Sequence, residues 1–154
     1  MSWLAGIVVA LALVTIVIAV MPKGQAKVGL IADRLSPCPT TPNCVCSEDT
    51  SASAYIEPFL FNDSGDSAWR RAKQAVVSSG GRIQSEDHDY LWATFTTRWL
   101  RFVDDVELRL DADNQVIQVR SASRVGRSDF GVNRKRVENI RLLFNSAASG
   151  IHNQ

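Results

Sequence analysis

RFVDDVELRL, residues 101–110, alternates apolar and polar side chains with a period of two. Such alternation is typical of a β-strand that turns one face toward a core. The apolar residues that share this face are Phe102, Val106, Leu108 and Leu110. Asp104 falls on the same face, whereas Asp105 falls on the opposite one. Because a carboxylate on a core face needs a polar partner, the stretch predicts both a sheet and an unusual polar position within it.

Two further strands are predicted before this one. They are RIQSED (82–87) and YLWATFTT (90–97). In the second, the apolar residues of one face are Leu91, Ala93 and Phe95. The apolar face then changes from odd to even positions, which predicts a bulge or turn near Trp99 and Leu100.

A fourth strand, QVIQVRSASRV (115–125), is predicted to return antiparallel through a turn at DADN (111–114). If those four residues form the loop, Leu110 pairs with Gln115 and the apolar faces of both strands lie on the same side. The predicted cross-strand pairs are Val106 with Val119, Asp104 with Ser121, Asp105 with Arg120, and Arg101 with Arg124. Ser123 shares the face of Ser121.

Helices are predicted on either side of these strands. DSAWRRAKQAVVSSGG (66–81) begins at a cap, Asp66 or Ser67, and ends at two glycines. Its apolar stripe consists of Trp69, Ala72 and Val76. A last helix covers 133–147 with Asn133 as its cap. Its apolar stripe consists of Val137, Ile140, Phe144 and Ala147. The order α-β-β-β-α over 67–150 predicts an α+β domain with an antiparallel sheet covered by helices on one face.

The N-terminal stretch WLAGIVVALALVTIVIAVM (3–21) has no charged residue, although the chain contains 17 Lys and Arg and 16 Asp and Glu. As a helix, it is long enough to cross a hydrocarbon core of about 30 Å. We therefore predict a transmembrane anchor over 1–22, with 3–21 in the membrane. A signal peptide and a buried helix are the alternatives, but the stretch exceeds a usual signal core, lacks an A-x-A site and has no polar stripe.

The segment 23–66 is predicted to be a Cys/Pro-rich loop and linker. Its motif SPCPTTPNCVCS (36–47) carries three prolines, which favour a stiff loop. We predict a disulfide between Cys38 and Cys44, with Cys46 either free and buried or an exchange partner. A thiolate metal site or a redox couple would favour C-x2-C spacing, which is missing, so we expect no metal and no cofactor.

The two signals for membrane orientation disagree. Lys23, Lys27 and Arg34 follow the apolar stretch, and positive charges favour the cytoplasmic side. A disulfide requires an oxidising compartment, which favours an extracytoplasmic domain. We give more weight to the cysteines.

Basic residues concentrate in 120–141, where seven Lys and Arg stand against Asp129 and Glu138, although the whole chain has a net charge of only +1. The guanidinium group suits carboxylates and phosphates, and a helix N-terminus favours anions. We predict an anion or lipid-headgroup site formed by Arg120, Arg124, Arg134 and Arg136. Its supporting residues are Asp104, Asp105, Ser121, Ser123, Asp129 and Asn133. A solvated basic surface is the alternative reading.

The acidic residues Asp104, Asp105 and Glu107 offer a second hypothesis, a general acid/base set or a cation site. No accompanying catalytic motif supports it, and His88 stands alone in an acidic turn.

Three blocks of the sequence resemble the domain of unknown function 1499 family. They are CPTTPNCVCS (38–47), RFVDDVEL (101–108) and RSASRVGRSDFGVNRKRVENIR (120–141). The resemblance implies a membrane-associated or exported protein, often bacterial, with relatives in thylakoids and no established reaction. Two departures are Cys46, where serine is common, and Arg127, where an aromatic residue is frequent. The family pattern picks out Cys38, Cys44, Asp104, Asp105, Glu107, Arg120, Ser121, Ser123, Arg124, Asp129, Asn133 and Arg136.

Together, these features predict a single-pass protein of the bacterial inner membrane with an extracytoplasmic domain that binds a small anion or a lipid headgroup. A hydrolase that uses Asp104 and Asp105, or an assembly partner in the envelope, are the alternatives. We favour a binding protein over an enzyme. The near-neutral charge argues against a nucleic-acid partner.

Overall fold

The computed structural model describes residues 3, 6–8, 24–97 and 100–149. The predicted anchor over 1–22 lies almost entirely outside them. In the described part, no helix has both the length and the apolar character needed to cross a membrane.

An antiparallel sheet forms the centre of the fold. Its strands are β3 (Cys44–Cys46), β4 (Phe59–Leu60), β5 (Arg82–Glu86), β6 (Tyr90–Thr96), β7 (Val103–Asp111) and β8 (Val116–Ser123). The sheet order is β3-β8-β7-β6-β5, and β4 pairs with the same edge of β8 as β3 does. A separate hairpin consists of β1 (Leu30–Ile31) and β2 (Arg34–Leu35). The helices are α1 (Gly65–Ser78) and α2 (Val132–Ser149). The α+β class and the antiparallel sheet are therefore confirmed.

The prediction of a linker within 23–66 needs correction, because this segment contributes to the sheet and to the core. β3 and β4 both pair with β8. The buried side chains of Val45, Ile56 and Phe59 join the main hydrophobic cluster. These strands contain only two or three residues, too few to show a periodic pattern.

The predicted register between β7 and β8 is wrong by two residues. Leu110 pairs with Ile117 rather than Gln115, because the loop covers 112–115. Asp111 ends β7, and its carboxylate accepts hydrogen bonds from the backbone and side chain of Asn114. Gln115 closes the loop at φ 53°. An even shift keeps every side chain on its predicted face but changes its cross-strand partner.

Both helices begin differently from the prediction. Ser64 caps α1 by accepting from the amide of Ser67. At α2, the Asp129 carboxylate accepts from the amides of Gly131 and Asn133, so Asn133 lies inside the helix and is not its cap. Hydrogen bonds to these amides outweigh burial and lower the pKa of Asp129.

The two helices cover one face of the sheet, as predicted, which we call the helical face. Leu91, Ala93, Val106, Leu108, Ile117 and Val119 of the sheet are buried in this layer. The helices contribute Trp69, Ala72, Val76, Val137, Ile140 and Phe144. The opposite face of the sheet carries the functional candidates.

Candidate anion site on the charged face

The opposite face, which we call the charged face, is formed mainly by Tyr90, Trp92, Asp105, Glu107, Arg109, Arg120 and Arg124. At its centre, Glu107 and Arg120 are paired across β7 and β8, with 2.6 Å between Oε2 and Nη1. Glu107 is fully buried and Arg120 is 4% exposed. Glu107 Oε1 also accepts from the Tyr90 hydroxyl at 2.8 Å and from the Gly29 amide at 2.7 Å. Burial, followed by the charge of Glu107, raises the pKa of Tyr90.

A second ion pair, between Asp105 of β7 and Arg124, which directly follows β8, lies next to the first. Arg124 donates two hydrogen bonds to the Asp105 carboxylate, at 2.9 and 2.8 Å. Trp92 Nε1 donates to the same carboxylate at 2.8 Å, and the Arg124 guanidinium lies 5.9 Å from the Trp92 ring centre. The hydrogen bonds to Asp105 raise the pKa of Arg124. Such a bidentate pair holds both side chains in place.

We call residues 24–48 the cover segment. Its first part lies over this face, where Gly29 and Lys27 bond to Glu107 and Arg120, and its last part includes the edge strand β3. Glu48 pairs with Arg109 at 2.8 Å and accepts from the Leu35 amide at 2.7 Å. The predicted disulfide between Cys38 and Cys44 is confirmed and closes a loop within the cover segment. The charges of the face are therefore buried beneath a segment that supplies matching donors and acceptors.

Between the cover segment and the sheet lies a cavity of about 640 Å³. Its charged lining residues are Lys27, Asp105, Arg120 and Arg124. The polar residues Gln25, Ser36, Thr41, Asn43 and Ser123 also line it. Its volume falls in the range of small-ligand sites, about 300–1,000 Å³. The lining groups thus present three cations and one carboxylate.

One buried donor of the Arg120 side chain has no acceptor among the described residues. Nη1 donates to Glu107 and, at 3.3 Å, to the backbone oxygen of Lys27. Nε is buried and makes no hydrogen bond to any described residue. A buried donor without an acceptor costs about 1–3 kcal/mol.

A separate polar cluster lies on the helical face. Arg136 bonds to the Asp104 carboxylate and to Asn133 Oδ1, and the Ser121 hydroxyl donates to the same Asn133 oxygen at 2.6 Å. Asn133 Nδ2 donates to the backbone oxygen of Asn43 at 3.0 Å. This network satisfies the core-facing Asp104 and ties α2 to the end of the Cys38–Cys44 loop.

The structure separates the predicted site residues into two groups. Arg120 and Arg124 line the cavity together with Asp105. Ser123 also lines it, but its hydroxyl accepts from Asn133 Nδ2 on the helical face. The residues on the helical side are Asp104, Ser121, Asp129, Asn133, Arg134 and Arg136. Arg134 donates to the backbone oxygens of Ser53 and Tyr55 and is not among the residues that line the cavity. The predicted set of four arginines is not brought together.

The acidic residues are divided in the same way. Asp104 faces the helices, whereas Asp105 and Glu107 lie on the charged face, and each carboxylate is bonded to its own arginine. The three carboxylates therefore do not face a common space in which they would act as an acid/base set.

Tyr90 and Trp92 of the charged face and Lys27 of the cover segment were not among the predicted site residues. Tyr90 and Trp92 occupy the positions of YLWATFTT opposite its apolar face, so the alternation contained a signal for them. Lys27 lies in an irregular segment, where no periodicity marks its position.

Cys46 lies in β3, the strand that also contains Cys44 of the disulfide, and it is fully buried. Burial raises the pKa of its thiol to about 11. The thiolate is the reactive form, so this environment favours a buried structural cysteine over an exchange partner.

Residues 34–144 match the family described as "Protein of unknown function (DUF1499)". The chain therefore belongs to this family, as the three sequence blocks indicated. A comparison with curated proteins finds no match. The matched range begins in the cover segment and ends in α2, so it includes the charged face and the polar cluster that joins Asn43 to Asn133.

Proposed function

We propose that the protein is a membrane-anchored binding module for a small oxyanion of the phosphate type, taken as a free ion or as a lipid headgroup. The observation that carries the proposal is Arg120, whose buried Nε lacks an acceptor while its side chain lines the cavity. Arginine favours planar and tetrahedral oxyanions, because its donors are fixed in one plane.

The charge balance around the cavity supports a singly charged ligand group. Glu107 and Asp105 compensate Arg120 and Arg124. Lys27 is exposed and makes no ion pair with a described residue. Lys27 is among the residues that line the cavity, so its charge is uncompensated there, and an anion between Lys27 and Arg120 would satisfy both.

The proposal includes a membrane anchor and an extracytoplasmic position of the domain. The apolar stretch 3–21 favours an anchor, and the disulfide between Cys38 and Cys44 favours an extracytoplasmic domain. A free phosphate ion and a phosphate-bearing headgroup present the same acceptor oxygens, so experiments must separate the two sources.

Calorimetric titration of the full chain in micelles tests the proposal. Lys27→Gln removes a cation at the cavity without leaving a buried carboxylate unpaired, and we expect it to weaken phosphate binding by about fivefold, the effect of one exposed ion pair. Lys135→Gln is the matched control, because Lys135 is an exposed lysine on α2. It should leave the affinity unchanged.

Two comparisons complete the experiment. If vesicles with anionic phospholipid compete with free phosphate for the cavity, a headgroup occupies it; if only the free ion binds, the ligand is soluble. No heat of phosphate binding, or equal losses in Lys27→Gln and Lys135→Gln, would overturn the proposal.

A further inference from the structure

The second cavity of the described residues is apolar and lies between the β6–β7 loop and the loop that precedes α2. We call it the end groove. It has a volume of about 560 Å³. Its apolar lining residues are Leu100, Phe102, Val125, Phe130 and Val132. It is a separate feature from the anion site, although Ser123 contributes to both cavities.

The apolar side chains of the end groove are unusually exposed. Phe130 is 91% exposed at the tip of its loop, Leu100 is 46% exposed and Val132 is 43% exposed. Phe130 also has a φ of 53°, in the left-handed region that large side chains rarely adopt. Clustered exposed apolar groups of this kind mark interaction surfaces.

Unpaired cations flank the groove in sequence. Arg101 and Arg127 are exposed, and neither makes an ion pair with a described residue. The two carboxylates that reach the groove are bonded inward, Asp104 to Arg136 and Asp129 to amides of α2. The groove therefore combines an apolar lining with two exposed cations that directly adjoin its lining residues in the sequence, a combination that favours an anionic lipid surface.

The path of the chain brings this surface toward the predicted anchor. Gly24 packs so closely on Arg124 that a Cβ at position 24 would lie 2.7 Å from Arg124 Cβ. Arg124 directly precedes Val125 of the groove. The predicted membrane segment ends at Met21, so only two residues separate it from a contact at this end of the sheet.

We propose that the end groove is a docking surface for an anionic lipid bilayer, into which Phe130 and Leu100 insert while Arg101 and Arg127 contact the headgroups. A rigid base supports this role. The Asn43 side chain donates to the Gly126 oxygen at 2.7 Å, and the Asp129 amide donates to the Pro42 oxygen. These bonds fix the Phe130 loop to the disulfide loop. Docking on the bilayer does not depend on the anion site.

Spin labelling of the full chain in vesicles tests this surface. A nitroxide on Ser128→Cys reports on the loop while Phe130 is kept, and a nitroxide on Leu60→Cys is the control. Leu60 is an exposed apolar residue that pairs with Val116, seven residues along β8 from Ser123, or roughly 23 Å away. The native cysteines do not interfere, because two form the disulfide and Cys46 is buried.

In phosphatidylcholine vesicles with phosphatidylglycerol, we expect the Ser128→Cys label to be accessible to oxygen and shielded from a water-soluble nickel complex. The Leu60→Cys label should remain accessible to nickel. For the label on Ser128→Cys, the measured quantity is the ratio of the membrane-inserted to the water-exposed population. Phe130→Ser should lower this ratio at least about tenfold. Arg101→Gln with Arg127→Gln should lower it by about 10- to 30-fold, and only with the anionic lipid.

Leu142→Ser is the matched control for Phe130→Ser, because Leu142 is an exposed apolar residue of α2. It should leave the ratio unchanged. Equal exposure of both labels to nickel, in vesicles with phosphatidylglycerol and in vesicles of phosphatidylcholine alone, would overturn the proposal and would favour a protein partner for the end groove. An unchanged ratio in Phe130→Ser would overturn it as well.

Discussion

The two faces of the sheet are both buried, but by different means. On the helical face, Val106 and Leu108 pack against apolar residues of α1 and α2. On the charged face, Asp105 and Glu107 are buried by arginines and by the cover segment. Apolar burial tolerates many arrangements, whereas buried charges require matched partners at fixed positions. The cover segment is therefore an integral part of the domain. On the charged face, each buried charge restricts which residues can occupy the positions around it.

Glu107 and Leu108 are neighbours on β7 and face opposite sides of the sheet, so their substitution compares the two faces directly. We expect the larger loss of stability from substitution of Glu107. Glu107→Gln leaves Arg120 buried without a compensating charge. We expect a loss of about 3–5 kcal/mol in the free energy of unfolding, measured by urea titration in micelles. The double variant Glu107→Leu with Arg120→Met should recover much of this loss. A loss below about 1 kcal/mol for the single variant would contradict a buried, matched pair.

Leu108→Ala makes the corresponding change on the helical face. Leu108 is fully buried, so its truncation should cost about 2–5 kcal/mol by the same urea titration. Because no charge is removed, we expect this loss to be the same at low and at high salt. A strong salt dependence would contradict the assignment of Leu108 to an apolar layer.

Removal of the disulfide should act mainly on the charged face. Cys38 and Cys44 are six residues apart, and Cys38→Ser with Cys44→Ser should cost about 2 kcal/mol. Hydrogen exchange should quicken at the amides of Gly29 and Leu35, which donate to Glu107 and Glu48, and less at Leu108. Equal quickening on both faces would contradict a local role for the disulfide.

Tyr90 provides the smallest test, one of pH dependence. Its pKa is raised in the folded state, so above about pH 10 the unfolded chain loses this proton first and stability falls as the pH rises. Tyr90→Phe should cost about 1 kcal/mol at neutral pH, the value of one hydrogen bond, and should flatten the alkaline decline. An unchanged alkaline slope in urea titrations would contradict the raised pKa.

Much of this fold follows from periodicity. The long strands, both helices and the side of the sheet that each residue faces were predicted from the alternation in RFVDDVELRL and its neighbours. The register was not, because the turn begins one residue later than DADN suggests and the Asp111 side chain stabilises it. That shift of two residues changed the partner of Arg120 from Asp105 to Glu107.

The candidate site was only partly predictable. Arg120, Arg124 and the disulfide were identified from composition, spacing and residue type. The cover segment was predicted to be part of a Cys/Pro-rich loop and linker, because it is held by bonds between side chains and backbone, such as that from Gly29 to Glu107, which leave no repeating pattern. Lys27 was therefore missed as a member of the site.

The central claim is that the cavity under the cover segment binds an oxyanion through Arg120. The most direct measurement is the NMR signal of the Arg120 Nε–H group during a titration with phosphate at constant ionic strength. We predict a saturable shift of this signal with phosphate and none with chloride, and Lys27→Gln should require about fivefold more phosphate for the same shift. An Arg120 Nε–H signal that stays fixed throughout the phosphate titration would contradict the claim.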